Sequence, residues 1–260
     1  MKIAHVAMLS VTLLSAGCAT APSNPIDPLE PMNRSIYSFN DTVDRNVAKP
    51  VAKAYRAVTP QPFRTAVNNF FDNILDAYSA ANNILSAEPE KALSDIMRVA
   101  INSTLGVFGL VDFATPAGLK SNKSTMGDTL AHWGWKNSNY LVIPFLGPST
   151  FRDGTGTAVT LYVSPDRRII YKEAATANVA WGVQLLARRE RVLGLEEAVD
   201  EAALDPYSYT RDAFMQYRNK QVGGTLYLQQ QDDLDIDQLV APSDGASAPV
   251  ATKPDASGAQ

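Results

Sequence analysis

The sequence predicts an all-α fold, a single helical domain, and three observations carry that expectation. Apolar residues recur three and four apart over long stretches, prolines stand where helices begin, and strand-like alternation is scarce. Forty-five per cent hydrophobic residues in 260 is a globular composition.

The N-terminus reads as a processing signal. Lys2 begins a short basic region, and residues 3–16 are mostly apolar and end in small residues. That run is too short to cross a bilayer and has the layout of a secretory signal peptide. Leu14-Ser15-Ala16-Gly17-Cys18 resembles a bacterial lipobox, although Leu stands one position earlier than usual. The resemblance implies cleavage before Cys18 and a three-chain lipid modification there; the competing reading is a plain signal peptide with a free thiol. Two or more acyl chains make a stable anchor at ~0.8 kcal/mol per buried CH₂. Ala19 after the cysteine resembles the signal for onward export to the outer membrane.

Pro22, Pro25, Pro28 and Pro31 then mark a semi-extended tether. A first helix carries Ile36, Phe39, Val43, Val47 and Val51, with Arg34, Asp41, Asp44 and Arg45 mostly on its other side. Pro60-Gln61-Pro62 opens a second, carrying Phe63, Val67, Phe70, Phe71, Ile74 and Tyr78. Pro89 suits the first turn of a third, which carries Leu93, Ile96, Val99 and Ala100 on one face. Ile170, Ala174, Ala177, Trp181 and Leu185 step by three and four, and Asp205-Pro206 is an N-cap and N1 pair for a last helix. From Gln229 the chain runs into Asp, Ala, Ser and Pro, a composition that buries no core. The expected organisation is a signal peptide (1–17), a lipidated tether (18–31), a helical domain (32–228) and a disordered acidic tail (229–260).

Charge and residue counts exclude several functions. Residues 229–260 hold six Asp against one Lys; without them and Lys2, 21 basic residues face 21 acidic ones. A neutral body argues against nucleic acid, which needs a basic surplus. Cys18 is the only cysteine, so no internal disulfide exists, and cleavage would leave His132 as the sole histidine. No G-x-S-x-G surrounds Ser149, and no metal-ligand or phosphate-loop spacing occurs, so neither a hydrolase, a metal cofactor nor ATP-driven transport is expected.

Three stretches are unlike ordinary soluble helices. Residues 99–111 lack charge, Asp112 follows, and residues 113–119 are uncharged again; residues 137–151 and 154–165 are also uncharged. Each is too short to span ~30 Å of hydrocarbon but long enough to enter one leaflet. Gly106, Gly109, Pro116 and Gly118 are candidate hinges for a bent hairpin. Taken singly, each could be ordinary core; taken together, beside a lipid anchor, they point to a protein lying in the membrane face.

The motifs Asp27-Pro28-Leu29-Glu30-Pro31-Met32-Asn33-Arg34, Ile36-Tyr37-x-Phe39-Asn40, Thr59-Pro60-x-Pro62-x-Arg64 and Asn69-Phe70-Phe71-x-Asn73 resemble the MlaA (VacJ) lipoproteins. The likeness continues through Asn102-Ser103-Thr104-Leu105-Gly106, Gly109-Leu110-x-Asp112, Gly127-Asp128-Thr129-Leu130-x-His132-Trp133-Gly134, Pro144-x-x-Gly147-Pro148-Ser149-x-x-Arg152-Asp153 and Asp205-Pro206-Tyr207. Residues 135–140 depart from it, lacking the glycines usual there, which predicts a stiffer loop. The resemblance implies a helical ring in the inner leaflet of the outer membrane, on the periplasmic side, beside a trimeric porin. Such proteins pass glycerophospholipid misplaced in the outer leaflet to a soluble periplasmic lipid carrier. The alternative is a porin-associated structural lipoprotein without transport.

The device has a physical rationale. Exposing the ~30 apolar carbons of a two-chain lipid to water costs on the order of 25 kcal/mol, and its headgroup is equally misplaced in hydrocarbon. A ring with an apolar outside and a wettable pore relieves both. Asp112, alone within its uncharged stretch, is then the first pore-lining candidate, with an N-cap or surface role as the competing reading. Asn40, Asp44 and Arg45 are further candidates that a solvated helix face would equally explain.

Overall fold

The computed structural model describes residues 24–163, 170–171, 173–194 and 203–224. The signal peptide, Cys18 and the acidic tail lie outside the described residues. The described chain is predominantly helical.

Helix α1 (Glu30–Val43) has Pro31 in its first turn, where a missing N–H is harmless, and Glu30 holds Arg34 one turn on at 2.7 Å. A π-turn (Asp44–Ala48) joins it to α2 (Lys49–Val58) without a loop. Pro50 accounts for the π-turn. Its ring has no N–H for the carbonyl of Asn46 and would clash with it; the wider turn, closed by Lys49 N–H donating to Asp44 O, makes room.

Helices α3 (Gln61–Leu85) and α4 (Pro89–Thr104) are joined by three residues, with Ala87 at φ 53°. They pack antiparallel: Asn73 meets Ser103, Asp76 meets Arg98, and Ser79 and Asn83 meet Asp95. The apolar faces read from the sequence are not what this pair buries. Only Phe71 of the α3 set is buried, while Phe63 on α3 and Leu93, Ile96 and Met97 on α4 are exposed. Buried instead are Asn73, Asp76, Ser79, Asn82, Asn83, Asp95, Arg98 and Asn102.

After a long connection comes α5 (Met126–His132), started by a reciprocal capping box between Thr125 and Asp128. Strands β1 (Tyr140–Ile143) and β2 (Gly147–Thr150) form an antiparallel hairpin in the register Tyr140↔Thr150 to Ile143↔Gly147. The all-α expectation holds, with this one short hairpin added among the described residues. Within residues 137–151, Tyr140 and Val142 are buried with Ile26, Tyr207 and Met215, so part of that uncharged stretch supplies core. The strand run is only four residues, too short for alternation to register.

Two asparagines, seven residues apart on α1, clip the outer edge of β1 as a third strand would. Asn33 donates to Tyr140 O and accepts from Val142 N–H; Asn40 donates to Ile143 O and accepts from Phe145 N–H. On the same edge Tyr140 N–H donates to Ile26 O. Ile26 and Asp27 are both 1% exposed, so the folded body starts before residue 32, where the tether was expected to end.

Helix α6 (Phe151–Val163) follows β2 directly and crosses α5 at two glycines. A Cβ on Gly156 would lie 2.5 Å from Gly127 N, and backbone cannot step aside. Gly156→Val should therefore cost ~1–3 kcal/mol and lower the melting temperature by several degrees. Gly154→Ala, whose Cβ would meet nothing closer than 3.4 Å, should leave it unchanged. Equal melting of both variants would show that the crossing is not close-packed. Helix α7 (Ala174–Arg191) packs on α2 and α3, and α8 (Pro206–Val222) closes the core between an Asp205 N-cap and Gly223 at φ 67°.

Candidate functional site

The α3–α4 interface is an ionic and amide spine. Asp76 and Asp95 are both fully buried. Asp76 accepts from Arg98 Nε at 2.9 Å and from Ser121 Oγ, and Lys123 Nζ stands 3.1 Å away. Asp95 accepts from Ser79 Oγ (2.6 Å), Asn83 Nδ2 (2.8 Å) and both the backbone and side chain of Asn122. Arg98 also donates to Thr115 Oγ1 (3.0 Å) and Leu119 O (2.9 Å). Burial alone would lower the pKa of Arg98, but its bond and attraction to Asp76 outweigh this and raise it.

The segment after α4 folds back along this spine. Residues 105–111 reverse the chain, and Asn102 Oδ1 accepts from the N–H of Phe113 and Ala114. Val107 (φ 52°), Phe108 (φ 56°) and Gly109 (φ 89°) lie in the left-handed region. Gly109 needs to be glycine for a second reason: a Cβ would approach the Asn73 side chain to 2.8 Å. Left-handed backbone at Val107 and Phe108 is uncommon for side chains of that size and holds both outward. Phe108 is 78% exposed, and Leu105, Val107, Leu110, Val111 and Phe113 are exposed with it. An apolar rim thus stands directly outside an ionised spine.

A second ionic cluster ties α5, α6 and α8. Arg218 donates to both oxygens of Asp153 (2.6 and 2.9 Å) and to Asp128 Oδ1 (2.9 Å). Burial would raise the pKa of Asp153, but Arg218 and Arg152 hold its carboxyl below the usual range. Buried Arg152 also donates to the carbonyls of Trp135 and Lys136, pinning the loop whose sequence lacks the expected glycines.

The sequence candidates have these surroundings. Asp112 accepts from Asn102 Nδ2 and from the N–H and hydroxyl of Thr115, and lies 3.5 Å from Arg98. Burial pushes its pKa up, but Thr115, Asn102 and Arg98 bring it below the ordinary value; its side chain remains partly open to solvent. Asn40 clips β1, Asp44 pairs with Arg189 at 2.6 Å, and Arg45 pairs with Asp41 at 2.8 Å. Gly106 lies in the reversal, where a Cβ would be 2.1 Å from Val111 O; Gly118, at φ 83°, faces open space, and Pro116 is exposed in the turn before it. His132 is exposed at the end of α5, while Ser149 is buried with its hydroxyl donating to Thr150 O.

Sequence reasoning missed Asp76, Asp95 and Arg98. Their signal is present in retrospect: Asn73, Asp76, Ala80 and Asn83 step by three and four as regularly as any apolar stripe.

Comparison with known proteins gives a consistent result. Residues 25–221 match the family described as MlaA lipoprotein. The intermembrane phospholipid transport system lipoprotein MlaA of Escherichia coli is 30% identical, over 83% of this chain and 87% of its own. Its Haemophilus influenzae counterpart is 31% identical, over 83% and 88%. An uncharacterized protein of Rickettsia bellii is 35% identical, over 75% and 76%. A chain solved as the structural basis for maintenance of bacterial outer membrane lipid asymmetry superposes with a TM-score of 0.64 at 30% identity, covering 75% of this chain and 98% of that one.

Proposed function

This chain belongs to the MlaA lipoprotein family, and from that premise we propose that it withdraws misplaced glycerophospholipids from the outer leaflet of the outer membrane. It is a lipid-anchored outer-membrane protein on the periplasmic side and maintains lipid asymmetry by transport, not by enzymatic chemistry. Lipid descends through a central amphipathic channel in a helical ring set in the inner leaflet, beside a trimeric porin, and leaves on a soluble periplasmic carrier. Residues 1–17 are removed, Cys18 carries the lipid, and residues 229–260 form an acidic tail in the periplasm. Asp112, partly open to solvent, is a wettable group of the channel wall.

The observation that carries the reading is the inverted amphipathicity of α3 and α4. Their contact face is ion-paired and amidic, the residues they turn outward include Phe63, Leu93, Ile96 and Met97, and the reversal that follows α4 adds Phe108. In water such a pair would expose what the hydrophobic effect normally buries. In hydrocarbon the arrangement is favourable, because polar groups must find partners inside the protein. No helix among the described residues is long and apolar enough to cross a membrane, which fits helices confined to one leaflet.

Cells lacking the protein should accumulate phospholipid in the outer leaflet, and a wild-type copy should remove it. A Cys18→Ala copy should fail and appear in the soluble periplasm or as uncleaved precursor, since the acyl chains supply the stable anchor. Outer-leaflet labelling with and without each copy checks this. Unchanged outer-leaflet lipid in the deletion would refute transport and leave a porin-bound structural lipoprotein.

A further inference from the structure

Between α3 and α7 lies a cavity of about 260 Å³, whose wall includes Asn68, Phe71, Asp72, Lys123, Arg188 and Arg191. Arg191 Nη2 donates to Asp72 Oδ2 at 2.9 Å, and Lys123 Nζ stands 3.5 Å from Asp72 Oδ1. One lining carboxylate therefore faces three cations. Among the described residues Arg188 has neither an ion pair nor a hydrogen bond, and it is exposed to solvent beside the cavity. On the same wall the buried Oδ1 of Asn68 finds no donor among the described residues.

Resting on the transport role above, we propose that this cavity is a headgroup subsite, in which Arg188 and Arg191 receive the phosphodiester of a glycerophospholipid. Arg188 is exposed at the mouth of the cavity, and its guanidinium donors are open to an arriving anion that the neighbouring Arg191 and Lys123 also attract. The guanidinium fork presents paired N–H donors that match two phosphate oxygens. The volume falls just below the ~300 Å³ at which pockets enclose a drug-sized molecule, so it suits a headgroup and excludes two acyl chains. Phe71, Leu75 and Ala187 supply apolar wall for the glycerol and first methylenes. The orphaned Asn68 oxygen is placed to accept from a headgroup hydroxyl or ammonium.

The test uses the full-length lipoprotein in dodecyl maltoside, titrated calorimetrically with short-chain dihexanoyl phosphatidylglycerol. Dihexanoylglycerol, which lacks the phosphate, and inorganic phosphate are the comparators. Arg188→Gln should weaken phosphatidylglycerol binding tenfold or more and Arg188→Lys by less, with unchanged circular dichroism and melting temperature, because Arg188 supports no other side chain. Equal affinity in wild type and Arg188→Gln overturns the subsite, as does dihexanoylglycerol binding as tightly as the phospholipid or no measurable wild-type binding. Inorganic phosphate matching the lipid would identify a free-anion site and likewise overturn it. The deletion phenotype is read separately: normal outer-leaflet lipid there sinks the transport role, whereas an indifferent Arg188→Gln titration sinks only the subsite.

Discussion

Arg98→Met should leave a protein that barely accumulates. Arg98 is buried between α3, α4 and the returning segment, and it satisfies Asp76, Thr115 and Leu119 O together. Removing it strands the fully buried Asp76 carboxylate, whose remaining partners are Ser121 and Lys123. Deleting one member of a buried ion pair costs ~3–5 kcal/mol, against a total stability of ~5–15 kcal/mol. The double change Asp76→Leu with Arg98→Met removes both charges and should recover part of the loss, more so if the surroundings are lipid. Immunoblot abundance and denaturant midpoint in detergent check both. A wild-type midpoint for Arg98→Met would mean that the spine does not hold the helix pair together.

Phe108→Asp should fold normally and yet abolish lipid asymmetry. Phe108 is 78% exposed at φ 56°, so its removal opens no cavity, and Asp tolerates left-handed backbone better than Phe does. What changes is the surroundings. A carboxylate placed at lipid depth costs ~2.5–3.5 kcal/mol on insertion scales, a shift on the order of 100-fold in membrane seating. The melting temperature in detergent should stay within a few degrees, while outer-leaflet phospholipid rises toward the deletion level. A variant that restores asymmetry as fully as wild type would place residues 105–113 in water and remove the main support for seating in the leaflet.

Much of the architecture was legible in the sequence because helix boundaries are local events. Pro31, Pro62, Pro89 and the Asp205-Pro206 pair stand at or within the first turns of α1, α3, α4 and α8, where their chemistry places them. The reversal at 105–111 was readable from its glycines, although the left-handed Val107 and Phe108 were not, since neither residue favours that backbone. The hairpin escaped notice because Tyr140–Ile143 is stabilised by Asn33 and Asn40, more than a hundred residues away. Asn40 read as a free polar group for the same reason: its partners are distant backbone atoms.

The sequence alone determined that the chain is helical, where most helices start, that residues around Asp112 are strangely uncharged, and to which family the motifs lead. Only the tertiary structure decided which side of each helix is the inside. Periodicity reports which residues share a face of a helix, and a polar stripe with an apolar one opposite reads identically whichever of them is buried. Asn73, Asp76 and Asn83 became interior when Ser103, Arg98 and Asp95 arrived to satisfy them, because buried polar groups are stable only when partnered. That pairing turned Phe63, Ile96 and Phe108 outward and left α3, α4 and the reversal after them with exposed apolar side chains.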